Sequence, residues 1–487
     1  MAGQGRRVRH SGQGRAVRAG VVGVVQQCGR AAAVRNRGGI ESGGTPLSER
    51  YDLLVSWGPG ETRLALSDRD RVIELGLSRA GIIAGSVALG RIVGKVPGGN
   101  GLFVEIGQDR AGFLANPPKS GAKRSEGQTV LVQIRSDAAH GKGATLGADI
   151  AFSGALLAYT PTKPGLSVSR KLDDEERARL HQMAAPLLTA GEGMSVRTAA
   201  QGCSQDALVM ELAVLRGQWQ AVLLAKTQAQ KPSVLWSPDP VDRMIALHPG
   251  IERVRVDDAA LFAALRPRLG ERVLLDRGGF DDVFDQALDE ALAPVIALPD
   301  GGRVAFGALA ALTAIDVDSG GGSAQAANAQ AAVEIARQIR LRGLGGQIAV
   351  DFIPVGGKGG LANLAAQLRR LTASDPVNTA VLGTTAMGLV EMTRERRGPS
   401  IPELCQECDI QSSALAVGLL ALRQAVKHAD RRPGRPLTVV TAPGVEAALV
   451  AERRALEQAR ERLVVPLKVV ADPNRARDDF IIQETMT

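Results

Sequence analysis

The chain has 487 residues, 45% of them hydrophobic and only 3% aromatic, with a formal net charge of +8. That length exceeds one ordinary core and predicts several domains with cores of Leu, Val, Ala and Ile, while no uninterrupted apolar run approaches the roughly 18 residues of a membrane span. The charge is local: residues 1–50 hold nine Arg and two Glu, so the remaining chain is nearly neutral and any nucleic-acid surface in it is a patch and not a global field.

The head, "MAGQGRRVRHSGQGRAVRAG", is Gly- and Arg-rich and aperiodic, and reads as a basic disordered extension over residues 1–48. Such a stretch is either an arm that clings to RNA or, the blander reading favoured here, a dispensable extension. Four cysteines are too few for a disulfide framework, which makes a reducing cytoplasm the default location.

Ordered structure is predicted to begin at "YDLLVSWGPGETRLALSDRDRVIELGLSR" (51–79), whose apolar stretches broken by turn residues read as antiparallel strands. The segments "GSVALGRIVGKVPGGNGLFVEIGQDRAGFLA" and "GQTVLVQIRSD" predict a small β-barrel. In "LFVEI", Leu102, Val104 and Ile106 point one way and Phe103 and Glu105 the other. Phe103 thus lies on the polar face, followed by Phe113 in "AGFLA". It is placed either to stack on single-stranded bases or to pack under a neighbouring loop.

Further along, "KLDDEERARLHQMAAPLLTA" predicts a charged helix, "MSVRTAA" (194–200) a strand, and a helix opens at Ser204 and stops before Pro232. "KPSVLWSPDPVD" is Pro-rich and reads as a linker. Then "ALTAIDVDS", "AQAANAQAAVEIARQIRLR" and "QIAVDFIPV" read as strand, helix and strand, a βαβ unit with parallel strands. Asp316 and Asp351 each follow directly on a buried apolar run, and parallel strands bring such positions to the same sheet edge, where open α/β sheets place their sites. The tail of the chain predicts another strand and a small α/β module.

Oxygen ligands at a strand edge suit magnesium, which needs only one or two carboxylates from the protein. Asp316 and Asp351, with Asp318 as an additional candidate, provide these; the competing reading has the carboxylates meet Arg342 or Arg394 or cap a helix. Cys405 and Cys408 in "CQEC" supply half of a tetrahedral zinc site, which two chains could complete; the rival is a redox pair. The five His (10, 140, 181, 248, 428) are scattered and read mostly as surface residues.

From about residue 50 onward the chain resembles the ribonuclease E/G family. "ALTAIDVDS", "EIARQIRLRGLGGQIAVDFI", "GLVEMTRERR" and "CQEC" follow that family's order and approximate spacing, and "PLKVVADPNRARDDF" looks like the end of its shorter, G-type members. The resemblance implies a multidomain α/β and β protein: an OB-fold RNA-binding barrel (86–152) inserted in a ribonuclease H-like domain (49–85 and 216–287), and a 5′-monophosphate sensor region (153–215). A DNase I-like α/β catalytic domain (288–400), a zinc link (401–412) and a small C-terminal domain (413–487) complete it.

It also implies a cytoplasmic endoribonuclease that cuts single-stranded, AU-rich RNA in rRNA and tRNA processing and mRNA decay, leaving a 5′-monophosphate and a 3′-hydroxyl. Asp316 and Asp351 match magnesium-binding positions; Phe103, Phe113 and Lys142 match RNA-gripping ones. Gly154, Arg197 and Thr198 match the 5′-phosphate pocket, and Cys405 and Cys408 a zinc shared between subunits, hence a homodimer or a tetramer. No long scaffold of the degradosome type is evident. Asp318 stands where the family usually has Asn, Pro354 replaces an acid, the loop after Asp318 is short, and "DIQSS" replaces a Gly-rich stretch after "CQEC". These departures motivate an alternative, an RNA-binding regulator with weakened turnover.

Overall fold

A computed structural model describes residues 50–484 apart from 69–70, 80–82, 97–100, 109, 116–124, 137–142, 279, 310, 356–359, 408–410 and 464. The chain divides into two compact units, with the break after Ala416.

In the larger unit, Tyr51–Gly58, Glu61–Asp68 and Arg71–Arg79 form an antiparallel meander. Its first turn closes on Gly60, whose φ of 75° is open to glycine and strained for other residues. The sheet is finished from far along the chain: Ile251–Val256 pairs parallel to the first strand, and Val273–Leu275 pairs parallel to Ile251–Val256.

Between these stretches lies a closed five-stranded barrel of the OB-like kind. Val87–Lys95 pairs with both Gly101–Glu105 and Thr129–Ser136, and Gly112–Ala115 and Thr145–Gly147 complete the ring. Alternation fills its interior with Ile92, Leu102, Val104, Leu114, Val132, Ile134 and Leu146. The stretch read as a Pro-rich linker is instead a strand, Ser233–Trp236, on the outside of Val87–Lys95, followed by a helix, Pro240–Leu247. Pro232 and Pro238 flank the strand and so interrupt none of its pairing, while Pro240 takes the first helical turn, where its missing N–H is harmless.

Four short strands, in the order Gly165–Val168, Gly193–Val196, Leu157–Thr160, Phe152–Ser153, carry the helices Asp174–Ala184 and Gln205–Gln228. The strand expected over 194–200 ends at Val196, because Ala200 and Gln201 donate back to the carbonyls of Arg197 and Thr198 in a tight 3₁₀ turn. Ser204 caps the longer helix by accepting the Ala207 N–H at 3.3 Å. That helix is long and apolar enough by length and composition to cross a membrane; here Leu208, Leu212, Leu215 and Val222 are buried in the core beneath it.

The last large sheet has six strands, in the order Val295–Ala297, Arg303–Ala308, Leu312–Asp318, Gly346–Asp351, Val390–Arg394, Thr379–Thr384. The helices Ala324–Leu341 and Gly360–Leu371 cover one face, packing Ala331, Ile335, Ile339, Leu364 and Leu368 against Ile315, Val317, Ile348, Val350 and Met392. The helix Ala324–Leu341 stops in a Schellman turn: Leu344 N–H reaches the Ile339 carbonyl, Gly343 N–H that of Arg340, and Gly343 has φ 64°.

The smaller unit combines most of the helix Ala414–Arg431, the helices Pro443–Ala451 and Arg453–Leu463, and a three-stranded sheet centred on Leu437–Thr441. His428 meets Glu484 there. His248, expected at the surface with most other His, is buried in the larger unit with Nε2 3.0 Å from Glu74. Burial alone would raise the Glu74 carboxyl, but His248 and Arg340 beside it hold it down at about 2.

Candidate active site

Leu312–Asp318 and Gly346–Asp351 run parallel with Asp316 directly opposite Asp351. Each aspartate alternates with a buried neighbour, Ile315 and Val317 in one strand and Val350 in the other, so both carboxylates stand on the face that the helices leave open. Neighbouring strands lie roughly 4.8 Å apart, a spacing at which two like charges repel unless something positive lies between them. Among the described residues neither carboxylate has an ion pair or accepts a hydrogen bond, and both are exposed. They border a cleft of about 470 Å³ lined by Val295, Phe306, Gly307, Ala314, Ala349 and Leu389.

This donor set fits magnesium. Two open carboxylates satisfy an ion that takes its other ligands from water and phosphate, whereas no group of three or more His, Cys, Asp or Glu gathers anywhere among the described residues. The reading that Arg342 or Arg394 pairs with the carboxylates fails. Arg342 lies 4.1 Å over the Phe306 ring and donates to the carbonyls of Glu290 and Ala293; Arg394 pairs with buried Asp375 at 2.8 Å.

Asp318 is held differently. Its carboxylate accepts the Gly320 N–H at 2.9 Å and meets Arg303 at 2.7 Å, and these two, the amide foremost, draw it below the usual carboxylate range. It closes the turn into "SGGGS". Gly320 is required at that turn: φ is 59°, and a Cβ would stand 2.2 Å from the Gly301 carbonyl.

Two supports of the site were not singled out from the sequence. Asn328, fully buried, donates to the Ile353 carbonyl at 2.8 Å and accepts its N–H at 3.1 Å, fixing the chain two residues after Asp351. The available signal was the single asparagine in the alanine-rich run "AQAANAQAA", between two glutamines. The charged residues of "EIARQIRLR" face inward as well. Arg337 donates to Glu334, to the Val72 carbonyl and to Glu290, and Arg71 meets Glu334 at 2.8 Å, joining this helix to the first sheet.

On the barrel, Phe103 and Phe113 are cross-strand partners on the outer face, 40% and 36% exposed, with ring centroids 6.3 Å apart. Lys142 lies outside the described residues. In the stretch expected to sense a 5′-phosphate, Arg197 N–H donates to Leu156 and its guanidinium to the Ala246 carbonyl at 2.5 Å. Thr198 is exposed and bonds Ser169 at 2.7 Å. Gly154 completes the same turn: its N–H reaches the Leu157 carbonyl, and a Cβ there would collide with Glu211, which takes the amides of Ala155, Leu156 and Leu157. The three residues are thereby brought together around 154–157, with a cation and a hydroxyl suited to phosphate.

Cys405 ends the helix Ile401–Cys405, which Ser400 and Glu403 hold in a capping box. It is buried in the core beside Leu54, Ala65 and Ile401, and burial pushes its thiol up to about 11. Cys408 lies outside the described residues. Cys405 is thus the described half of the pair, and a metal bound to it would draw off the thiol proton that burial otherwise retains.

A profile of the ribonuclease E/G family matches residues 151–397. The chain is 30% identical to ribonuclease G of Escherichia coli (strain K12) over 403 residues, covering 73% of this chain and 82% of that protein. Ribonuclease G of Haemophilus influenzae is 28% identical over 406 residues, with 74% and 82% covered. Ribonuclease E of a Nostoc species is 29% identical over 458 residues, with 85% of this chain and 64% of that protein covered. The match runs across both aspartate strands, the turn at 154–157 and the "EMTRERR" strand, and the chain belongs to the ribonuclease E/G family.

Proposed function

We propose that the chain is a magnesium-dependent endoribonuclease that cuts single-stranded, AU-rich RNA to give 5′-monophosphate and 3′-hydroxyl ends, acting in rRNA and tRNA processing and mRNA decay. The observation that carries this reading is the register of Asp316 with Asp351 on an open sheet face, without a partner among the described residues.

Asp316 and Asp351 would hold the ion. When bound, magnesium supplies a more acidic water and a counter-charge for phosphoryl oxygens. The chain's own residues position the RNA. Phe103 and Phe113 offer two ring faces to unpaired bases, and Arg197 with Thr198 offers a guanidinium and a hydroxyl to a 5′-terminal phosphate. Asp318 shapes the turn beside the carboxylates. The reading includes a cytoplasmic homodimer, or a tetramer of paired dimers, in which Cys405 and Cys408 would hold a zinc shared between subunits.

The regulator alternative rests on Pro354 and on the extra charge at Asp318. That charge is matched by Arg303, which removes much of its motive.

The test is a 5′-monophosphorylated AU-rich oligoribonucleotide incubated with and without magnesium, beside Asp316→Asn and Asp351→Asn. Magnesium-dependent cleavage lost in both variants, with RNA binding retained, is the expected result. Tight binding with no product under any condition would replace the nuclease by the regulator.

A further inference from the structure

The outer face of the helix Gln205–Gln228 is apolar and has no partner within the described chain. Met210, Val214 and Leu224 are 70%, 62% and 63% exposed, and Ala213, Gly217 and Ala221 lie between them on the same face. The two charged residues in this stretch are both engaged by the body: Glu211 by the amides of Ala155–Leu157 and Arg216 by Glu192.

Gly217 is the telling position. It sits in mid-helix, where glycine weakens the helix relative to alanine, yet a Cβ placed on it meets nothing within 4 Å. Nothing among the described residues requires it to lack a side chain. A second backbone passing close over it would.

The residues around Gly217 are arranged in mirror order along the helix. Met210 and Leu224 stand seven positions either side, and Ala213 and Ala221 four either side. Turning one helix end over end about Gly217 brings Met210 opposite the other's Leu224, and Ala213 opposite its Ala221. Small meets small and Met meets Leu, while Val214 comes opposite the other's Gln220. The ends are complementary too: exposed Asp206 opens the helix, while Lys226 and Lys231 stand exposed in and just beyond its last turns. An antiparallel pair therefore sets an acidic, dipole-positive end beside a basic, dipole-negative one.

We propose that this face is an isologous contact with a second copy of the chain, the two helices crossing antiparallel at Gly217. It is independent of the cysteine pair and of the catalytic sheet.

Single cysteines test the register in the full-length protein. In Gly217→Cys the two thiols meet on the symmetry axis, whereas in Met210→Cys they stand about 21 Å apart. Mild oxidation is expected to give a 217–217 disulfide, mapped by mass spectrometry, in at least tenfold higher yield than a 210–210 disulfide. Gly217→Glu, with its helix content checked by circular dichroism, is expected to halve the particle mass in sedimentation equilibrium. Equal yields from the two cysteine positions, or an unchanged mass for Gly217→Glu, would overturn the proposal. So would a Gly217→Glu variant of unchanged mass that no longer floats with phosphatidylcholine vesicles, which would assign the face to lipid.

Discussion

Two aspartates two positions apart in one strand, and so on the same face, do different work. Asp316 stands open opposite Asp351, whereas Asp318 is closed by Gly320 and Arg303. An asparagine at 318 keeps an oxygen for the Gly320 amide and gives up only an exposed ion pair, the kind that contributes little. Asp318→Asn is therefore expected to leave the cleavage rate and its magnesium half-saturation within about threefold of the parent, while Asp316→Asn lowers the rate by about a hundredfold or more. A magnesium titration of cleavage on both variants checks this. Asn328 makes the opposite case, a residue that touches no substrate yet fixes one carboxylate. Asn328→Ala leaves both polar groups of Ile353 unpaired in the interior, at a cost of about 1–3 kcal/mol. A lowered melting temperature together with weaker magnesium dependence is the expected result, read by calorimetry and by the same titration. Asp316 and Asp351 were legible in the sequence because each ends an apolar run. Asn328 was not, because its significance depends on a carbonyl 25 positions away that periodicity does not bring near.

At the scale of elements, local signals survive and long-range ones do not. The helices announced by Ser204 and by the alanine-rich run form as their caps and periods require, and the in-register aspartate strands follow from the helix between them. The strand Ser233–Trp236 was hidden by its prolines, since its pairing partner Val87–Lys95 lies far back in the chain. In the aromatic hairpin the element can be tested through its smallest member. A Cβ on Gly101 would come within 2.4 Å of the Phe113 ring and displace it. Gly101→Ala is expected to weaken single-stranded RNA binding about as much as Phe113→Ala, several-fold to a hundredfold, because each stacked base contributes roughly 1–3 kcal/mol. Fluorescence anisotropy with a labelled oligoribonucleotide decides it. The four-stranded sheet of Tyr159 carries its own acid limit. Glu192 ties the strand of Tyr159 to the helix of Arg216, and its carboxyl is held at about 2, chiefly by the hydrogen bond from Arg216. A carboxyl depressed on folding stabilises fully above its unfolded value near 4.5, and that stability drains away as the pH falls towards 2. Glu192→Gln is expected to flatten the acid limb of the melting-temperature profile in that window and to lower stability at neutral pH.

At the scale of the larger unit, the helix between the two aspartate strands also connects them to the first sheet. Glu334 and Arg337 are both buried, with Arg71 and Glu290 around them. Removing one partner from such a cluster leaves the others charged and unmatched. Glu334→Ala is expected to lose about 3–5 kcal/mol, whereas the double replacement Glu334→Leu with Arg337→Met loses less than the single change. Urea denaturation of the two variants measures the difference. This junction could not be read from the sequence, where the same charges on a helix look like a solvated face, and the two-part first sheet left no local trace either.

That two-part sheet has a consequence in time. Tyr51 pairs with Ile251, so the first strand to emerge from a ribosome waits about 10–40 s, at 5–20 residues per second, for the strand that completes its sheet. The barrel closes during that interval, because its last strand, Thr145–Gly147, has already been made and a closed ring leaves no edge to recruit strangers. Asp351, the second carboxylate, arrives two hundred residues later still. A growing chain thus completes the surface that bears Phe103 and Phe113 well before it assembles the pair of acids.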